Sequence, residues 1–134
     1  MNTSSPDLSA CCPLDGFVPL LWDRAHGRVY LRIRAPGEEL LYLDRLSHGL
    51  GDYRLERGNL SRPQVVRFER RGARLLLVAA SYAWRSSSPE QAQRDAVRQA
   101  FAESVLWGFD ILDDSDGALV DATAFLLRDA NSVA

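Results

Sequence analysis

The sequence predicts an α+β domain, an antiparallel sheet built from hairpins with one main helix packed on it. Three observations carry that expectation. Apolar and polar residues alternate in several short runs separated by Gly-containing turns. One stretch, about residues 89–107, changes to a helical period. The chain has 134 residues, of which 46% are hydrophobic and 25% charged. A single domain of that size buries about two-thirds of its unfolded surface and needs no metal or disulfide to hold a core.

Residues 1–15 read as a flexible leader rich in Ser, Pro and Asp, residues 16–130 as the ordered domain, and 131–134 as a tail. Phe17 to Trp22 is an apolar run. Val29, Leu31 and Ile33 then alternate with Arg28, Tyr30, Arg32 and Arg34, and the Asp23–Gly27 turn between the two makes a hairpin. Pro36-Gly37 is a second turn, and Leu40 to Asp44 a third strand. Ser47 to Ser61 is a long connection holding Gly49, Gly51 and Gly58, and loops of that length in a compact domain are usually functional or covered. Val65–Glu69 and Arg74–Ala80 flank Arg70-Arg71-Gly72-Ala73 as another hairpin. Its second strand is apolar on both faces and so is expected to be central.

The main helix is expected next. Ser88 suits the N-cap, Pro89 the first helical position, and Gln91 the third position after the cap. Val97, Ala100, Phe101, Ser104 and Val105 share one helical face, Glu90 and Arg94 form an i, i+4 pair, and Gly108 suits a stop. Phe109–Leu112 and Ala118–Asp121 flank Asp113-Asp114-Ser115-Asp116-Gly117 as a third hairpin, and Ala124–Arg128 forms a short helix.

Composition excludes several classes. The net charge of −2 argues against a general nucleic-acid binder. The longest apolar run, Leu75 to Ala80, is far short of the roughly 20 residues of a membrane-spanning helix. All 16 basic residues are Arg, so no lysine is present for Schiff-base chemistry. Cys11 and Cys12 are adjacent, a spacing that disfavours a mutual disulfide. Leu8-Ser9-Ala10-Cys11 looks like the tetrapeptide before a lipidated cysteine, but Met1 to Leu8 supplies neither the charged start nor the apolar stretch of a signal peptide.

Catalytic constellations are sparse. Catalytic zinc needs three protein ligands, and the two histidines, His26 and His48, stand in separate loops with no His-Glu-x-x-His. The Asp113–Gly117 run departs from a calcium-binding loop. Leu112 stands where an acidic group is needed, and Thr123 stands at the Glu position. Gly49-Leu50-Gly51 lacks the third glycine of a nucleotide loop. Charge is unevenly distributed. Arg54 to Arg74 holds seven Arg against Glu56 and Glu69, whereas Asp110 to Asp129 holds six Asp against Arg128. The two segments could pair with each other or face a partner, with solvated faces the favoured reading.

The run Gly49-Leu50-Gly51-Asp52-Tyr53-Arg54-Leu55-Glu56-Arg57-Gly58 resembles a signature in the N-terminal domain of unknown function of large bacterial zinc-dependent metalloproteases. Leu20-Leu21-Trp22-Asp23 with Val29-Tyr30-Leu31, Val65 to Gly72, Ala96-Val97 through Phe101–Leu106, and Val120–Thr123 resemble further stretches of that domain in the same order. Together they span about residues 16–130. Glu56 stands where the family usually has Asp, and the parents' downstream His-Glu-x-x-His matches no position here.

The resemblance implies a non-catalytic accessory domain that docks on the catalytic domain of a metallopeptidase or shapes its cleft. The alternative is a free-standing protein-interaction module of the same fold. It implies no catalytic residue and no metal ligand in this chain, with zinc expected only in the catalytic domain of a longer parent. The partner is then that catalytic domain or another protein, not nucleic acid. A periplasmic or secreted parent follows from the resemblance, while the lack of a signal peptide leaves the cytoplasm open. The candidate interaction loop is Gly49, Gly51, Glu56, Arg57 and Gly58. Arg57 there either binds a partner carboxylate in bidentate fashion or ties the loop to Glu56 or Asp44.

Overall fold

A computed structural model describes residues 6–45, 63–81, 90–92 and 103–130. Among the described residues eight strands form one antiparallel sheet: β1 (Cys12–Leu14), β2 (Leu20–Asp23), β3 (Arg28–Ile33), β4 (Glu39–Tyr42), β5 (Gln64–Arg71), β6 (Arg74–Ala79), β7 (Ser104–Asp113) and β8 (Ala118–Asp121). A five-residue helix, α1 (Thr123–Leu127), follows β8. The order across the sheet is β1-β2-β3-β8-β7-β6-β5-β4. Two meanders, β1 to β3 and β4 to β7, are thus joined by β8, which pairs with β3 on one side and β7 on the other. Ala118, Leu119 and Val120 of this joining strand are all buried.

The sheet curls into a half-barrel. The register shifts on both sides of β7 are one source of the curl. Leu77 pairs with Trp107 but Val78 with Val105, so Leu106 is an extra residue against β6. Ile111 pairs with Val120 but Asp113 with Leu119, so Leu112 is an extra residue against β8. Each such bulge bends its strand and increases the local twist. The inner face gathers Ile33, Val66, Phe68, Leu75, Leu77, Phe109 and Val120, closed over by Phe125 of α1. Phe125 packs against Phe109, Trp107 and Tyr42, with ring centroids 5.5, 5.8 and 6.1 Å away.

The α+β expectation with a helix over about 89–107 is corrected: the fold is essentially all-β. Gln91 and Ala92 are helical, but Ser104–Trp107 opens β7. Pairing with β6 overrides the helical period there, because a strand places Trp107 and Phe109 together on the inner face opposite Leu77 and Leu75. Gly108 is no helix stop; it sits in mid-strand opposite Leu76. Ser88, Pro89 and residues 93–102 lie outside the described residues.

The three expected hairpins are present as β2–β3, β5–β6 and β7–β8, and β6 is central as expected, with Leu77 and Val78 both buried. β1, Cys12–Leu14, pairs with β2 within the stretch read as the leader.

Candidate functional site

At one end of the half-barrel, edge strand β4 meets α1. Along β4 and just past it, Leu40 and Tyr42 turn to the core while Glu39, Leu41 and Leu43 are exposed. Tyr42 Oη donates a short hydrogen bond to Asp44 Oδ1 and accepts one of 2.5 Å from Arg128 Nη2. Arg128 Nη1 also donates to the carbonyl oxygen of Phe125 at 2.5 Å, and its guanidinium stacks 3.9 Å from the Phe125 ring centre. One arginine therefore fastens the last turn of α1 to the start of the chain that leaves β4. Burial pushes the Tyr42 hydroxyl above its ordinary pKa, and donation to Asp44 adds to the rise. The group is held as a neutral donor, which suits a structural tie.

Outside this tie lies a cleft of about 230 Å³ lined by Leu43 and Leu126 together with Tyr42 and Arg128. Leu41 is 69% exposed and Leu127 79% exposed. Isolated exposed leucines are common; two exposed leucines lining one cleft, Leu43 and Leu126, make a surface suited to a partner. A second cleft, of about 180 Å³, lies among Phe17, Val18, Arg32, Leu40 and Phe68.

The charged segments pair in part with each other. Arg74 lies opposite Asp110 across the β6–β7 ladder, with Nε 3.1 Å from Oδ1. Arg70 pairs with Asp114. On the other side of the acidic turn, Arg34 Nη2 lies 2.9 Å from Asp116 Oδ2. Arg34 holds Asp116 below the ordinary carboxylate range, and the Ser115 hydroxyl does the same for Asp113. Arg67 donates to Glu103 and Glu69, which raise its already high pKa further. The Asp113–Gly117 run is therefore a hairpin turn tied to Arg70 of β5, Arg32 of β3 and Arg34 just past β3.

The interaction-loop residues Gly49, Gly51, Glu56, Arg57 and Gly58 lie outside the described residues, as does His48. His26 Nδ1 sits 2.8 Å from Asp23 Oδ2 in the β2–β3 turn, and this hydrogen bond lowers the Asp23 pKa. Cys11 and Cys12 are half-buried free thiols. Among the described residues no three His, Cys, Asp or Glu side chains gather as a metal site. No described helix is long and apolar enough to cross a membrane. Sequence reading found β4 and α1 separately but missed their meeting.

Comparison with known families places residues 58–134 in DUF5117, a domain of unknown function. No curated protein and no solved structure matches the chain.

Proposed function

We propose that this chain, which belongs to the DUF5117 family of unknown function, is a non-catalytic accessory domain that docks on the catalytic domain of a bacterial zinc-dependent metallopeptidase. The ordered resemblance over about residues 16–130 supports the identity of the parent. The observation that carries docking is the cleft at the β4–α1 end, lined by the exposed Leu43 and Leu126, with exposed Leu127 next to Leu126 in the chain. Burial of such side chains on association is favourable by about 25 cal/mol per Å² of apolar surface removed from water. The Tyr42–Arg128 tie holds the two elements in fixed relation, so little ordering cost remains at docking. In this reading zinc belongs to the catalytic partner, and this chain holds no cofactor.

The test is titration calorimetry of the full chain against the separately purified catalytic domain of such a peptidase. Saturable binding that Leu127→Arg weakens at least about tenfold, with the circular dichroism spectrum unchanged, is the expected result; a buried charge at an apolar contact costs that much or more. Absence of binding, or equal binding by the variant, overturns the reading.

A further inference from the structure

The two edges of the sheet differ. β1 is three residues long and carries Pro13, which cannot donate a backbone hydrogen bond and so blunts that edge. β4 has neither proline nor bulge, and among the described residues no strand pairs with its outer side. Natural sheets rarely leave such an edge without a device against non-specific pairing. On β4 the device is acidic. Glu39 is exposed on the same face as Leu41, and Glu38 precedes it. Neither carboxylate makes an ion pair among the described residues, although arginines engage acidic groups elsewhere on the sheet. Unpaired acidic groups repel an acidic or identical strand and attract a basic one, which turns a general template into a selective one.

We propose that the outer edge of β4 receives an extended segment of the docking partner as a ninth, antiparallel strand, with basic side chains beside Glu38 and Glu39 and an aliphatic one beside Leu41. This rests on the docking reading and names the kind of segment that docks. Backbone hydrogen bonds would supply the affinity, and the alternate side chains the choice of partner. On the exposed face, the added strand would cover Leu41. On the inner face, its side chains would extend the row begun by Leu40 and Tyr42, which already pack against the core.

The test uses the full chain and three short synthetic peptides, read by fluorescence anisotropy. One has an aliphatic half followed by two Arg. The second carries two Glu in their place. The third repeats the first with alternate backbone amides N-methylated on the pairing edge. Only the first should bind well. The Glu peptide should be weaker by at least about fivefold, the outcome of reversing two cross-strand charge pairs, and N-methylation should abolish binding. In Glu39→Arg, an exposed substitution, the preference between the Arg and Glu peptides should narrow or invert. Equal binding of the Arg and Glu peptides, or unchanged binding of the N-methylated one, overturns the proposal. Should the catalytic domain bind in a Leu127-dependent way while no peptide binds, strand addition fails and docking stands.

Discussion

Arg128 Nη2 lies 2.5 Å from Tyr42 Oη, a hydrogen bond across 86 residues of chain that joins the end of α1 to edge strand β4. Tyr42→Phe removes the acceptor for Arg128 and the donor to Asp44 while keeping the ring against Phe125. The expected loss is about 1–2 kcal/mol in urea denaturation. The tyrosine's raised pKa adds a pH signature. Its contribution is complete below the ordinary tyrosine pKa of about 10 and is lost as pH rises through the higher folded-state value. The native chain should therefore lose more stability in strong alkali than Tyr42→Phe does.

Gly117 has φ +79°, and a Cβ there would lie 2.7 Å from the Ile33 carbonyl oxygen and 3.0 Å from the Arg34 Cα, both backbone atoms. Gly72 has φ +62° with open space around it. Gly117→Ala should cost more than about 2 kcal/mol, combining left-handed strain with a clash against β3, and Gly72→Ala only about 1 kcal/mol. Parallel denaturant melts of the two variants separate the close approach of the β7–β8 turn to β3 from conformational preference alone.

The Arg34–Asp116 pair predicts an acid-side dependence. Asp116 has its folded-state pKa lowered, first by the hydrogen bond from Arg34, so its contribution is present above the ordinary aspartate value of about 4 and is lost as pH falls through the lower folded value. Asp116→Asn should flatten the decline in stability in that window and leave neutral-pH stability little changed, because the pair is exposed. An unaltered acid titration of the melting temperature would show that other carboxylates set the decline.

Phe125 and Leu127, two residues apart on α1, should behave oppositely. Phe125 is buried among three aromatic rings, and Phe125→Ala should cost roughly 3–5 kcal/mol. Leu127 is exposed, and Leu127→Ala should change stability by no more than about 0.5 kcal/mol. Thermal melts of the two variants check both values.

The hairpins were legible because each joins a period-two run to a local turn. Val65–Glu69 and Arg74–Ala80 appear almost unchanged as β5 and β6 around Gly72. The start of β7 was not legible. Ser104 and Val105 fit a helical face with Val97 and Phe101, and only pairing with Val78 and Ala79 of β6 makes them a strand. The candidate loop at Gly49–Gly58 was read from sequence resemblance, whereas the β4–α1 surface combines residues more than 80 positions apart and has no local signature.

The sequence by itself determined the local alternation, the turns that reverse the chain, and the short helix over Phe125, all of which depend on neighbours within a few residues. Tertiary structure decided that β8 lies between β3 and β7, that β4 is an edge, and that Arg128 reaches Tyr42. Those outcomes follow from the bulges at Leu106 and Leu112 and the burial of Leu119 and Val120, which are properties of strands meeting from distant parts of the chain.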